Sequence, residues 1–222
     1  MMHASNEILS LVERSTVRGP LPDEPTALAG AGLVPHYLFY CYICGQEEGG
    51  ENVAGDATGR GLPAPYSCTV WRPRGCPTLP PGLSGLRLRL RFLFRWAVHR
   101  LHLFAGPGCG ALLVYDRERL VHYSGFTPGY WRFPFIAGGD LQIGDTWTDP
   151  AYRGRGLALF ALQTAVAILA RPGRRLWYVV EVINKSSIRV AEKAHFALAA
   201  EGTRVASRGP KLAGAYVIRR FV

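Results

Sequence analysis

Lysine is nearly missing from this sequence. Lys185, Lys193 and Lys211 are all there are, so its basic charge is carried by arginine. Acid is scarce too, with 16 Asp and Glu against 26 Lys and Arg and a formal charge of +10. Such an excess favours polyanionic partners: nucleic acid, a membrane surface or phosphorylated small molecules. The basic residues are not interleaved with aromatics as a stacking platform would need, so no specific nucleic-acid binding is expected. No apolar run reaches the roughly 18 to 20 residues that cross a bilayer, so any membrane contact is expected to be peripheral. Met1 to Ser10 lacks a basic start followed by an apolar stretch, so no secretory leader is expected and the protein is placed in the cytoplasm. A cysteine framework is also lacking. Cys41 and Cys44 have the spacing of half a zinc site, but Cys68 and Cys76 are separated by seven residues, where a structural zinc pair has about two to four. No metal is implied, and buried free thiols are expected.

What is present reads as a folded domain. The chain has 222 residues, 48% of them apolar. At this size a single domain buries about 70% of its unfolded surface. Residues 1–35, interrupted by Pro20, Pro22, Pro25 and Pro35, form an ill-defined extension, and residues 36–222 are expected to form one domain. His36 to Cys44 is a short apolar run, and Gly45 to Pro65 and Pro73 to Pro81 are loops. Leu86 to Phe104 is ambiguous. LRLRLRFLF alternates like a strand, yet the whole stretch carries a helical stripe at Leu86, Leu90, Leu93, Ala97, Leu101 and Phe104. Its length favours a helix. Its arginines form either a solvated face or a surface for an anionic substrate or membrane.

From residue 110 the periodicity is plainer. Ala111 to Tyr115 and Leu120 to Ser124 form a hairpin around Asp116-Arg-Glu-Arg119. Leu141 to Thr148 is a strand. Leu157 to Ala170 is a helix apolar nearly all round and therefore expected to be buried. Leu176 to Val182 is a central strand covered on both faces, Ser186 to Ala194 a short helix, and Gly202 to Ala206 and Ala215 to Val222 the final strands.

Chemistry concentrates where the strand QIGDTWT turns through DPAYRGRG into the helix. Gly154 and Gly156 allow a tight turn and close backbone approach to a ligand. The first amides of the helix lack internal partners, and with the positive end of the helix dipole they attract an anion. Arg153 and Arg155 add charge. The pattern is neither a nucleotide-hydrolase phosphate loop nor a dinucleotide fingerprint.

Thr148-Asp-Pro-Ala-Tyr-Arg153-Gly-Arg-Gly156-Leu-Ala158 resembles the first cofactor motif of the GNAT acyltransferases. Asn184-Lys-Ser-Ser-Ile-Arg-Val-Ala-Glu192-Lys193-Ala-His-Phe196 resembles the motif that closes that domain. The likeness covers residues 110–222 well and residues 36–109 loosely. It implies an α/β (α+β) fold with a mixed, mostly antiparallel central sheet flanked by helices, whose fourth and fifth strands splay apart. It further implies transfer of an acyl group from acetyl-CoA or another acyl-CoA to a small primary amine. The expected cofactor site is Thr146, Trp147 and Thr148 on the fourth strand, Arg153, Gly154, Arg155, Gly156, Leu157 and Ala158 on the turn, and Asn184 after the fifth. An amide of the fourth strand would face the developing oxyanion.

The amine must lose a proton. Glu181, in an otherwise apolar strand beside the splay, is the first candidate base, because partial desolvation there would raise its pKa; Asp145 and His122 are the others. Two positions depart from the family. Ala191 stands where it often has a tyrosine for the leaving thiolate, and His195 where it has a glycine. Leaving-group protonation would then fall to another group, such as Tyr216, or to water. The segments His122 to Pro128, Arg132 to Phe135 and Gly139 to Pro150 are similar to family members of bacterial polysaccharide and amino-sugar pathways. Trp131, Phe133, Phe135 and Trp147 form either an aromatic wall for a sugar ring or acyl chain, or part of the core. Peptide amines, or cofactor binding without turnover, are the competing readings.

Overall fold

The computed structural model describes residues 36–44, 65–104, 106–205 and 214–222. The readings for residues 1–35 and for most of the Gly45 to Pro65 loop lie outside them. Eight strands join one sheet in the order β2-β3-β4-β5-β6-β1-β7-β8. They are β1 (His36–Ile43), β2 (Tyr66–Trp71), β3 (Gly110–Asp116), β4 (Arg119–Thr127), β5 (Leu141–Thr148), β6 (Arg175–Glu181), β7 (Ala197–Val205) and β8 (Ala215–Phe221). Three helices accompany them: α1 (Leu86–Arg100), α2 (Leu157–Leu169) and α3 (Lys185–Lys193). Every pairing is antiparallel except that of β5 with β6. The mixed, mostly antiparallel sheet expected from the sequence is the one observed.

The strands read before the helices are placed by their pattern of burial. In β1, Tyr37, Phe39 and Cys41 enter one core cluster and Tyr40 another. Successive side chains of a strand point to opposite faces, so β1 is covered on both. It lies between β6 and β7, far in the sheet from its chain neighbour β2. The stretch Tyr66–Trp71 carried no clear signal: its burial pattern is mostly exposed, as an edge strand allows.

The helices divide between the two faces. On one, α2 packs across β3, β4 and β5 and against α3. On the other, Leu88 and Phe92 of α1 pack with Ala111, Leu113 and Tyr123. Two readings of the helices are corrected. The buried stripe of α1 is Leu88, Phe92, Arg95 and Val98, whereas Leu86 and Leu90 are 70% and 54% exposed. An arginine sits in the buried stripe because a carboxylate and a carbonyl wait for it there. In α2 the buried residues are Leu157, Ala161, Leu162, Ala165 and Leu169, one stripe rather than the whole circumference, and Ile168 is exposed.

Phe39 is fully buried. Cutting it to alanine removes a large apolar side chain and leaves a cavity, so Phe39→Ala is expected to cost about 3–5 kcal/mol of stability in urea unfolding. A loss below about 1 kcal/mol would mean that β1 is not a fixed central strand.

Candidate functional site

The site begins with a separation between two strands. β5 and β6 pair only from Leu141 to Ile143 against Leu176 to Tyr178. Beyond Ile143, β5 runs on to Thr148 and β6 to Glu181 without pairing. The expected splay is therefore present, and it exposes backbone donors and acceptors that an intact sheet would satisfy. A bulge in β5 sits at its start. Tyr123 faces Trp147 and Gly125 faces Gly144, so Asp145 and Thr146 together oppose Ser124. Asp145 takes a left-handed φ of 49°, which re-aims the backbone at the opening of the splay.

Chain direction then delivers the turn. Asp149 caps a single 3-10 turn (Pro150–Tyr152) by accepting from the Ala151 amide at 3.0 Å. Its other oxygen accepts from Arg119 at 2.7 Å. Gly154 and Gly156 follow with φ of 76° and 77°. Open space surrounds both, so glycine is required there for its conformation, not for room. Gly156 is the residue before α2, and no side chain caps the helix. The first intrahelical bond found there is Phe160 N–H to Gly156 C=O. The amides of Leu157, Ala158 and Leu159 are left as donors at the positive end of a 13-residue helix. Leu157 itself is buried with Leu112 and Val114; it offers its amide and anchors the helix with its side chain. The turn thus fits a diphosphate. Arg153 is exposed, with Nε 3.4 Å from the Thr148 carbonyl. Arg155 lies over the Tyr152 ring at 4.8 Å and donates to the Tyr66 hydroxyl and the Ala151 carbonyl.

The other expected cofactor residues separate by function. Thr146 and Thr148 point their hydroxyls into a polar chain beneath β5. Thr148 Oγ1 is 2.8 Å from His122 Nδ1, His122 Nε2 is 3.0 Å from Ser124 Oγ, and Ser124 Oγ is 3.3 Å from Thr146 Oγ1. Across the splay on β6, Tyr178 is buried, and burial raises its pKa against the opposing influence of the Ser187 and Thr146 hydroxyls. Trp147 is turned to the opposite face, stacked on Tyr123 with centroids 6.1 Å apart. Asn184 caps α3: its side-chain oxygen accepts from Ser187 N–H at 3.1 Å and Ser186 Oγ at 2.9 Å.

A cleft of about 380 Å³ opens on the α1 face of the splay. Thr127, Gln142, Asp145 and Val179 line it from the sheet. Arg91, Phe94, Arg95 and Val98 line it from α1. Tyr130, Arg132 and Phe133, from the segment before β5, and Tyr216 complete it. Arg95 is buried and reaches Asp145 Oδ2 at 2.8 Å and the Gly110 carbonyl at 3.3 Å. Arg91 lies 3.2 Å from Asp145 Oδ1 and donates to the Tyr123 hydroxyl at 2.6 Å. Gly125 makes room for this, since a Cβ there would run into the Arg95 guanidinium.

The three candidate bases fall in three places. Asp145 lines the cleft. Glu181 is solvent-exposed at the end of β6 and accepts from the Tyr37 hydroxyl at 3.0 Å, so the desolvation expected of it is not found. The strand ends there and its last side chain meets water. His122 is fully buried, with both ring nitrogens engaged by hydroxyls, and is not among the residues lining the cleft. Of the aromatic residues, Phe133 reaches the cleft, while Phe135 packs on Trp177. The sequence reading gave no role to Tyr178, and it named Asp145 as a candidate base and the α1 arginines as a solvated or anion-binding face without joining them. Tyr178 was concealed in an apolar strand. The arginines were concealed by abundance, and the stripe read from the sequence does not pass through Arg95. His195, standing where the family has a glycine, adopts φ 62°, the left-handed conformation that a glycine accepts most readily.

Burial lowers the His122 pKa from 6.5 to about 4. The unfolded chain therefore binds a proton at this position below about pH 6.5, and the folded chain does not until about pH 4. Stability is complete above the upper value and falls as pH drops between the two, by at most about 3 kcal/mol from this group. Urea unfolding at pH 7 and pH 4.5 is expected to show that loss in the parent and a smaller one in His122→Gln. Equal losses would remove His122 as the cause.

The acetyltransferase (GNAT) family model matches residues 83–196. No curated protein matches the sequence. Among solved structures, a conserved protein of unknown function from Staphylococcus epidermidis is 8% identical, with 76% of this chain and 59% of that one covered and a TM-score of 0.45. A protein described as a GNAT-family acetyltransferase, from Novosphingobium aromaticivorans, is 19% identical over 76% and 62%, with a TM-score of 0.42. The tandem GNAT protein of the clavulanic acid biosynthesis pathway is 16% identical over 80% and 58%, with a TM-score of 0.49. The chain thus spans about three-fifths of the length of these neighbours, and at such scores they carry no argument about substrate. The family match, over a segment that contains α1, the splay, the glycine turn and α3, places this chain in the GNAT acetyltransferase family.

Proposed function

We propose that this protein transfers an acyl group from acetyl-CoA, or another acyl-CoA, to a small primary amine, with amino sugars as the favoured acceptor class. One observation carries the reading: the uncapped α2 N-terminus, presented by the Gly154–Gly156 turn, stands beside a gap between β5 and β6. A diphosphate fits the first and an extended amide-bearing arm fits the second. Acyl-CoA would supply an activated thioester carbonyl at the gap.

The chain's own groups divide the remaining work. The amides of Leu157, Ala158 and Leu159 hold the diphosphate, aided by Arg153. The unpaired edge of β5 past Ile143 orients the arm. The bulge at Asp145 and Thr146 turns an amide toward the carbonyl oxygen, where charge grows during attack. Asp145 receives the acceptor. Each of its oxygens is engaged by one guanidinium, which fixes the carboxylate and leaves lone pairs to accept a hydrogen bond from the amine or from a water that removes its proton. Glu181 and His122 are set aside for this step, the first by its position outside the cleft and the second by its burial. His122 is instead a positioning residue for Thr148 and Ser124.

Tyr178 is the proposed donor to the departing thiolate. Burial raises its pKa, opposed by the Ser187 and Thr146 hydroxyls, so it holds its proton at neutral pH. It packs in the same core cluster as Ala191, the position at which the family often carries a tyrosine. Polysaccharide or amino-sugar biosynthesis in the cytoplasm is the setting this reading favours. Among the described residues no helix is long and apolar enough to cross a membrane.

Free-thiol release from acetyl-CoA with a panel of amino sugars and peptide amines tests the reading. Asp145→Asn and Tyr178→Phe are each expected to lower kcat by about 100-fold or more, with the melting-point rise given by CoA unchanged. Thiol release on peptides alone would replace the acceptor class. CoA binding with no release on any amine would leave a binding module.

A further inference from the structure

We infer that the acceptor carries an anionic group, a carboxylate or a phosphate, and that Arg132 and Thr127 hold it in the cleft under α1. The inference rests on the acyl-transfer reading of this cleft and names the acceptor's chemistry.

Charge is the first observation. Three guanidiniums line the cleft, those of Arg91, Arg95 and Arg132, against the single carboxylate of Asp145. Asp145 is engaged by Arg91 and Arg95, at 3.2 and 2.8 Å. Arg132 has no ion pair with any described residue. A small, partly enclosed space with an excess of positive charge favours an anionic ligand over a neutral one.

The second observation is independent of charge. Four buried side-chain polar atoms among the described residues lack a hydrogen-bond partner, and two of them, Thr127 Oγ1 and Arg132 Nε, belong to residues lining this cleft. Thr127 is only 6% exposed. Orphaned polar atoms at such depth cost free energy unless something completes them. Oxygens of an anionic ligand can complete them, since a hydroxyl and a guanidinium N–H each donate.

The third is preorganisation. The Arg132 carbonyl accepts from the Tyr216 amide at 2.8 Å, which ties the segment before β5 to β8. The guanidinium carbon lies 5.7 Å over the Tyr216 ring, a contact that restrains the side chain without occupying its donors. A planar, held guanidinium suits a carboxylate or phosphate.

Matched acceptors test this: glucosamine against glucosamine 6-phosphate, and β-alaninamide against β-alanine. Binding is measured by calorimetry with CoA present, and transfer by free-thiol release. The anionic member of at least one pair is expected to bind about tenfold or more tightly, and which pair responds tells phosphate from carboxylate. Arg132→Met should remove about 10- to 100-fold of that affinity and leave the neutral member unchanged, with Arg132→Lys recovering part. Thr127→Val should act the same way to a smaller degree, and the melting-point rise with CoA reports that each variant is folded. Equal binding within both pairs, or a preference that survives Arg132→Met, overturns the inference. Thiol release with equal use of both members would leave acyl transfer standing and the anion subsite refuted. A preference lost in Arg132→Met, with no thiol release on any amine, would do the reverse.

Discussion

Arg95 is a guanidinium buried between α1 and the sheet, and the rest of the site depends on what neutralises it. An unpaired charge at that depth would cost several kcal/mol. Asp145 supplies the counter-charge at 2.8 Å, and it does so from a bulge in β5 with a left-handed backbone. One ion pair therefore fixes three things: the seat of α1 on the sheet, the side chain that faces the cleft, and the point at which β5 leaves its partner. Gly125 is part of the same constraint, because any Cβ would occupy the guanidinium's place. Removing either partner is expected to disturb the fold and the site together; Asp145→Asn keeps the shape and tolerates the positive φ but leaves Arg95 without its counter-charge, so its kinetics are read beside its own melting temperature.

The two faces of the splayed sheet are held apart in chemistry. On the α2 face a chain of hydroxyls and one neutral imidazole runs from Thr148 through His122 and Ser124 to Thr146. It carries no formal charge at neutral pH and runs along β5, beside the Gly154–Gly156 turn. On the α1 face the cleft is charged and aromatic. A cofactor entering from one face and an amine from the other would meet at the bulge, with Asp145 on the amine's side and Tyr178 on the thiolate's.

Much of this was legible in the sequence where local chemistry decides the structure. The glycines at 154 and 156 predicted a turn, and the helix beginning at Leu157 predicted its free amides; both are found. The strands at Leu141 and Leu176 and the short helix before Ala194 are found within one or two residues. The misreadings come from tertiary choices. In α1 two apolar stripes compete, and the sheet took the one containing Arg95 because Asp145, distant in sequence, could pair with it. Glu181 looked buried because its strand is apolar, yet the strand ends there and the carboxylate meets water. Tyr178 lies inside the apolar strand Leu176 to Val182, and nothing local in the sequence sets its hydroxyl apart from its neighbours. The Tyr66–Trp71 strand lies at the sheet edge, where exposure removes the alternation that marks a strand.

The central claim is that the turn from Arg153 to Ala158 carries the diphosphate of CoA. Thermal melting with CoA, acetyl-CoA and longer acyl-CoAs, run in parallel on the parent and on Gly156→Trp, tests it most directly. The account predicts a rise in melting temperature for the parent, as for any ligand that binds only the folded state, and none for the variant relative to its own unliganded melt. No rise with any CoA, or an equal rise in both proteins, would contradict it.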